Sequence, residues 1–127
     1  MTTPRKINYR KNTRSLVIEF PDATYELPAE LLRVWSPSAE VRGHGDGERV
    51  LQKGKKYVGI TQIEAVGNYA IRLVFDDGHD TGLYGWDYLR ELGENQDRFW
   101  QDYLTELKEA NATRLPIIAV GQWTPKA

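Results

Sequence analysis

The feature that most restricts the fold of this chain is a run of residues that are apolar at every second position, as in a strand with one buried face, and that ends in a tight turn. The apolar positions are Tyr69, Ile71, Leu73 and Phe75. Asp77-Gly78 then favours a turn, because glycine tolerates positive φ angles and aspartate can hydrogen-bond its own backbone. From Trp86 the spacing becomes helical, because Leu89 and Arg90 follow at i+3 and i+4. The sequence therefore predicts a strand, a turn and a helix in close succession.

The remaining patterns predict an α+β fold, with a single domain and a largely antiparallel sheet of about five or six strands. Further strands are expected at residues 6–11, 14–20, 25–27 and 58–64. A short helix should follow the third strand, because Pro28 suits a first helical position. Two C-terminal helices are expected to pack against one face of the sheet, with Asn95 as the N-cap of the second. The core stripe of that helix should consist of Phe99, Tyr103 and Leu107.

Composition bounds the class of protein. With 127 residues, 40% hydrophobic and 28% charged, the chain is expected to form one domain over residues 1–110, followed by a tail, 111–127, that is either flexible or packed against the domain or a partner. The net charge of −1 gives no overall field to attract nucleic acid or a membrane. The absence of cysteine excludes disulfides, thiolate metal ligands and iron–sulfur ligation by this chain. Because no signal-peptide core or long apolar run occurs, we expect a cytoplasmic protein.

A glycine-rich and charged segment, residues 38–56, is expected to be an exposed loop. Within it, Gly54-Lys55-Lys56 lacks the upstream glycine spacing and the Ser or Thr of a phosphate-binding loop. The second histidine of the chain, His44, also lies here, so a two-histidine iron site with His79 is not expected. We therefore predict neither nucleotide binding nor oxygenase activity for the chain alone.

Two blocks of sequence carry a resemblance to a known family. Residues 75–89, FDDGHDTGLYGWDYL, and residues 27–38, LPAELLRVWSPS, resemble the signature of gamma-butyrobetaine hydroxylase-like N-terminal domains. The resemblance covers about residues 5–110. In that family the domain occurs alone in bacteria, at the N-terminus of 2-oxoglutarate-dependent hydroxylases of the carnitine pathway, and fused to P-loop iron–sulfur carrier ATPases. The resemblance implies a bacterial, stand-alone domain and assigns it no function.

The resemblance also implies a metal site that this chain has lost. In the hydroxylase relatives, a histidine matching His79 joins three cysteines in a structural zinc site. The cysteine positions hold Ser36, Ser38 and Val41 in this chain. Because a serine hydroxyl is a poor zinc ligand and valine is none, we expect neither zinc nor another cofactor. His79 is then expected to be a turn histidine that hydrogen-bonds the backbone and the hydroxyl of Ser36 or Ser38, although an imidazole can also bind metal or carry a proton.

The candidate binding surface combines the predicted turn with the start of the following helix and the end of the first helix. Its residues are Arg33, Trp35, His79, Asp80, Tyr84, Trp86, Asp87 and Tyr88. Aromatic side chains beside turns commonly belong to a core, yet four of them bordered by charged groups are also typical of a protein-recognition patch. No serine, histidine and acid in a recognisable motif and no paired catalytic carboxylates are present, so we predict no catalytic residues and no enzyme.

The favoured hypothesis is therefore a non-catalytic accessory domain that binds a protein partner through this surface. By association with the family, the partner would be an iron–sulfur carrier ATPase or a dioxygenase. The alternative hypothesis is a domain that binds a small ligand or a metal at the same corner. Nucleic acid and membranes are not expected as partners, because the basic residues of segment 49–56 form only a local patch.

Overall fold

A computed structural model describes residues 2–43 and 49–116 of the chain. Its strands and helices confirm the predicted α+β class, and none of the helices described is long and apolar enough to cross a bilayer. The strands are β1 (Lys6–Arg10), β2 (Ser15–Glu19), β3 (Thr24–Pro28), β4 (Ile60–Val66), β5 (Ala70–Phe75) and β6 (Leu83–Gly85). The helices are α1 (Ala29–Val34), α2 (Ala39–Arg42), α3 (Trp86–Glu94) and α4 (Gln96–Glu109).

The first sheet is an antiparallel meander in the order β1-β2-β3. Its central strand alternates as predicted, because Leu16 and Ile18 are fully buried whereas Val17 and Glu19 are partly exposed. Leu27 of β3 lies opposite Leu16 and is buried with it. Since successive side chains of a strand point to opposite faces, these leucines and Ile18 line the core face of the sheet.

The second sheet, in the order β4-β5-β6, contains the predicted strand and turn. Ile71, Leu73 and Phe75 of β5 are buried, as the alternation predicts, whereas Tyr69, its first predicted position, precedes the strand and is 53% exposed. The chain turns at Gly78, whose amide donates to the carbonyl of Phe75 and whose φ of 91° favours glycine. Residues 79–82 then run back without strand structure, so that β6 is short and pairs only with the first half of β5.

The helices cover the sheets and fix the position of this turn. α1 is buried along its whole length, and α3 begins directly after β6, where the helical spacing is predicted to begin. α4 presents Phe99, Tyr103 and Leu107 to the interior, as predicted. The main core consists of buried apolar residues from both sheets and from α1, α3 and the start of α4.

The C-terminal end of α4 is a Schellman motif. Asn111 has a positive φ of 52°, its amide donates to the carbonyl of Lys108, and the amide of Ala112 donates to the carbonyl of Leu107. Asparagine tolerates this left-handed conformation better than most residues with a side chain. The chain therefore stops its helix here and reverses, and residues 112–116 run back over the domain.

The structure departs from the predictions in three places. The strands form two three-stranded sheets, whereas a single sheet is predicted, because the long connection that carries α1 and α2 separates β3 from β4. Within the predicted loop at 38–56, a single helical turn buries Val41, and a turn this short shows no sequence period. The glycine-rich residues 44–48, with His44, lie outside the described residues, as do residues 117–127. Asn95 precedes α4, but its side chain bonds the carbonyl of Glu91 instead of capping a free amide.

Candidate functional site

Side-chain burial divides the predicted surface into an inner and an outer part. Tyr84 has no exposed surface, and Arg33 and Trp86 are each 7% exposed. The side chain of His79 is 8% exposed. The four residues that reach solvent at least in part are Trp35, Asp80, Asp87 and Tyr88. We refer to residues 75–89 as the His79 corner.

His79 lies among serine hydroxyls, as predicted for a turn histidine. Its Nε2 atom is 2.9 Å from Oγ of Ser36 and 3.4 Å from Oγ of Ser38, and its Nδ1 atom lies 3.8 Å from the carboxylate of Glu40. Burial, followed by the positive charge of Arg33, lowers the pKa of His79 below its ordinary value. The imidazole is therefore neutral at pH 7 and serves as a fixed hydrogen-bonding group.

Ser36, His79 and Glu40 follow the order of contacts in a serine-hydrolase triad, an arrangement that the sequence does not reveal. The geometry does not support that chemistry. The 3.8 Å separation between His79 and Glu40 exceeds hydrogen-bond length, so the acid does not orient the imidazole. Ser36 is 1% exposed, and a Cβ atom added to Gly82 would lie only 2.5 Å from its Oγ atom. No space remains there for an acyl group, and Ser36 is a structural hydrogen-bonding residue.

A second group of polar side chains gathers two cations around one carboxylate. Nε of Arg33 donates to Oδ2 of Asp77 at 2.8 Å, and Nζ of Lys55 donates to the same oxygen at 2.6 Å. Oδ1 of Asp77 accepts the backbone amide of His79 at 3.1 Å. Burial raises the pKa of Asp77, but these three hydrogen bonds outweigh it and lower the pKa to about 2. Nη1 of Arg33 is buried and finds no hydrogen-bond partner among the described residues.

We call Arg33, Ser36, Ser38, Asp77 and His79 the inner cluster. Aromatic side chains enclose it and are anchored by their polar ends. The hydroxyl of Tyr84 donates to the carbonyl of Leu32 at 2.5 Å, and the hydroxyl of Tyr88 donates to the carbonyl of Trp35 at 2.5 Å. Burial raises the pKa of both tyrosines, so both hydroxyls stay protonated. These rings tie the His79 corner to α1 and belong to the core.

Trp86 and Asp87 lie apart from the inner cluster. The indole of Trp86 donates to the carbonyl of Asn68 at 2.8 Å, in the turn between β4 and β5, whereas His79 follows the other end of β5. Asp87 is exposed in the first turn of α3, where a carboxylate suits the helix dipole. Their short distance from His79 in the sequence therefore does not place them beside it.

One exposed surface next to the corner lies on the outer face of the second sheet. Leu83 lies opposite Arg72, and Arg72 lies opposite Glu64, so these side chains share one face. Nη2 of Arg72 lies 2.9 Å from both carboxylate oxygens of Glu64, and Nη1 lies 3.3 Å from the carboxylate of Asp80. Leu83 is 47% exposed beside these charges. We call Glu64, Arg72, Asp80 and Leu83 the outer patch.

The inner cluster does not fit the zinc site of the hydroxylase relatives. His79 faces two neutral hydroxyl groups instead of thiolates, and Val41 offers no donor atom. In residues 2–43 and 49–116 no group of three or more His, Cys, Asp or Glu side chains is arranged to hold a metal ion. The chemistry of the cluster is that of hydrogen bonds and paired charges.

Comparison with known proteins identifies the family. The sequence model of the family described as gamma-butyrobetaine hydroxylase-like, N-terminal, matches residues 7–90, from β1 into α3. The chain belongs to this family. No curated protein matches this gamma-butyrobetaine hydroxylase-like domain.

Solved structures resemble this gamma-butyrobetaine hydroxylase-like domain, two of them over nearly its whole length. One NMR solution structure is 47% identical, with a TM-score of 0.81 and coverage of 98% of this chain and 99% of that chain. Another is 45% identical, with a TM-score of 0.79 and coverage of 99% and 95%. The crystal structure of a DUF971-family protein of unknown function from Acidithiobacillus ferrooxidans is 34% identical, with a TM-score of 0.61 and coverage of 72% and 92%. The family is thus one of unknown function, and none of these relatives indicates a catalytic activity.

Several residues of the site in this gamma-butyrobetaine hydroxylase-like domain were not among the predicted ones. Glu40, Lys55 and Gly82 reach the inner cluster through contacts that a short sequence window does not contain. Arg72 carried a usable signal, because it is a charged residue on the face of β5 opposite to the core. A polar side chain at such a position indicates a solvent-facing side of the sheet.

Proposed function

We propose that this protein is a non-catalytic accessory domain that binds a protein partner through the outer patch of the His79 corner. The observation that supports the proposal is the division between groups held by internal hydrogen bonds and apolar surface left exposed. His79 and Asp77 are committed to internal hydrogen bonds, whereas Leu83 offers apolar surface among charges. Because Arg72 already holds its two acidic neighbours, little side-chain freedom would be lost when a partner binds.

The proposed partner is an iron–sulfur carrier ATPase or a dioxygenase. The family description names a gamma-butyrobetaine hydroxylase, which supports a dioxygenase. The fused proteins that the family resemblance implies support either partner. The outer patch holds the carboxylates of Glu64 and Asp80 around the single guanidinium of Arg72. The partner surface should therefore place a basic side chain next to an apolar one, since complementary charge guides specific association.

The test is a binding measurement with purified candidate partners. Isothermal titration calorimetry would compare the wild-type domain with Leu83→Ala and with Val50→Ala, which also trims an exposed apolar side chain but lies outside the outer patch. We expect Leu83→Ala to raise the dissociation constant about tenfold, the effect of a modest interface residue. Val50→Ala should leave the dissociation constant unchanged. Failure of both candidate partners to bind the wild-type domain, or equal effects of the two variants, would contradict the proposal.

A second candidate function is the binding of a small anion at the inner cluster. Two cations share Asp77, and Nη1 of Arg33 has no partner within the described part of the chain. This candidate predicts that phosphate or citrate raises the melting temperature of the wild-type domain at constant ionic strength, and raises it less in Lys55→Met. Equal shifts in both proteins would exclude it without affecting the proposal of a protein partner.

A further inference from the structure

The segment at residues 112–116, which we call the strap, contacts the loop that carries Lys55. The amide of Gly54 donates to the carbonyl of Thr113 at 3.1 Å, and the amide of Lys56 donates to the carbonyl of Arg114 at 3.0 Å. Lys55 lies between these two hydrogen bonds. Its backbone is therefore held on both sides by the strap, while its side chain reaches Asp77.

The strap is fastened to α1 by one ion pair. The guanidinium of Arg114 donates to both carboxylate oxygens of Glu30, at 2.7 and 2.8 Å, and stacks over the ring of Trp100 at 4.8 Å. The side chain of Glu30 is only 7% exposed. A planar guanidinium that binds a buried carboxylate through two hydrogen bonds has little freedom to turn, so it fixes the direction of the strap.

These contacts close a ring that begins and ends on α1. Glu30 holds Arg114, and the strap holds the backbone around Lys55. Lys55 and Arg33 then share the carboxylate of Asp77. Because Glu30 and Arg33 lie one turn apart on the same helix, α1 fixes both ends of this ring.

We propose that the strap is a positioning element of the His79 corner, and that Arg114 sets the geometry of Asp77 through Lys55. The inference concerns the inner cluster, goes beyond the proposed function and does not rest on it. The sequence pattern assigns residues beyond 110 to a tail, and the family match ends at residue 90, so neither indicates this role. The side chain of Arg114 bonds Glu30 and no residue of the outer patch within the described part of the chain, so that it acts through the loop.

The test is a titration of the Asp77 carboxyl carbon by NMR in the full chain. The wild-type protein should titrate near the low pKa of about 2, and Arg114→Gln should raise the pKa of Asp77 toward its ordinary value of 3.8. In a Lys55→Met background, Arg114→Gln should add no further shift, because both changes remove the same contact. Arg10→Gln, which breaks an exposed pair with Glu26, serves as the control and should leave Asp77 unchanged.

Two results would overturn the inference. One is an unchanged pKa of Asp77 in folded Arg114→Gln, and the other is a shift that adds to that of Lys55→Met. If Arg114→Gln does not fold, Arg114→Lys is the deciding variant, because it keeps a positive charge next to Glu30 but loses the bidentate geometry. The pKa of Asp77 should then rise by a smaller amount. If the pKa test fails while partner binding still depends on Leu83, the positioning role of the strap is rejected and the proposed function is unaffected.

Discussion

Two buried charges on α1 lie one helical turn apart and are compensated in different ways. The side chains of Glu30 and Arg33 are 7% and 8% exposed. Both oxygens of Glu30 are bonded by a single partner, Arg114. Arg33 instead competes with Lys55 for one oxygen of Asp77, and its Nη1 atom has no partner in the part of the chain that the structure describes.

The difference in charge compensation separates a structural ion pair, Glu30 with Arg114, from the candidate anion site around Asp77. A buried charge is costly unless it is paired and hydrogen-bonded, and the Glu30 pair meets both conditions. The group around Asp77 keeps a surplus donor and a surplus cation beside the His79 corner. Incomplete polar compensation of this kind is expected where a protein retains capacity for an external contact.

The largest effect should come from breaking the matched pair. Arg114→Met leaves the carboxylate of Glu30 buried without a counter-charge, and we expect it to lower the free energy of unfolding by about 3 kcal/mol. Urea unfolding monitored by tryptophan fluorescence would measure the loss. The double variant Glu30→Leu/Arg114→Met should recover most of it, since no charge is then left buried. A loss no greater than that of Arg5→Met, which removes an exposed pair with Glu19, would contradict the comparison.

A second change tests how tightly the inner cluster is packed. Gly82→Ala would place a methyl group 2.5 Å from Oγ of Ser36, and we expect a destabilisation of about 2 kcal/mol from overpacking. Gly85→Ala is the matched control, because the nearest atom to its added Cβ is 3.8 Å away. Thermal or urea unfolding of both variants would check this. Equal stabilities would show that the cluster has room to adjust.

A smaller effect should appear in the dependence of stability on pH. The pKa of Asp77 is lowered from 3.8 to about 2 in the folded protein, so its stabilising contribution is present above pH 3.8 and is lost as the pH falls toward 2. We expect a contribution of about 1 kcal/mol after allowance for solvent screening. Urea unfolding of wild type and Asp77→Asn should therefore differ at pH 5 and converge near pH 2. A constant difference across this range would show that Asp77 acts through packing.

The smallest effect on stability is expected from removing the surplus cation, Lys55. Lys55→Met should cost about 0.5 kcal/mol, because Arg33 and the amide of His79 continue to compensate Asp77. Chemical unfolding at low and high salt would measure this change. A cost as large as that of Arg114→Met would remove the distinction between the matched pair and the surplus charge.

The local structure of the corner could be predicted from the sequence, but most of its long-range contacts could not. Alternation in β5, the glycine at position 78 and the stripe at Phe99, Tyr103 and Leu107 each follow from residues that are neighbours in the chain or one turn apart. A hydrogen bond from His79 to the hydroxyl of Ser36 or Ser38 was also predicted, from the resemblance of two separate blocks, and the shorter contact is to Ser36. These features depend on periodicity, turn chemistry or a known motif, and all three can be recognised in a linear sequence.

The features that were not predicted depend on long-range placement. Division into two sheets depends on which strands pair, and a strand pattern does not record its pairing partner. Lys55 reaches Asp77 from a loop that the strap hydrogen-bonds, and Arg114 reaches Glu30 across most of the chain. Trp86 was grouped with His79 on sequence distance alone, although β5 separates them.

The most direct test of the account is to map the surface that a partner touches. Amide chemical shifts of the isotopically labelled domain would be followed while an unlabelled iron–sulfur carrier ATPase or dioxygenase is added. The account predicts that the largest changes and line broadening fall on the outer patch of Glu64, Arg72, Asp80 and Leu83, while α4 is little affected. Changes confined to α4, or no changes with either partner, would contradict the claim that the outer patch of the His79 corner is the functional surface.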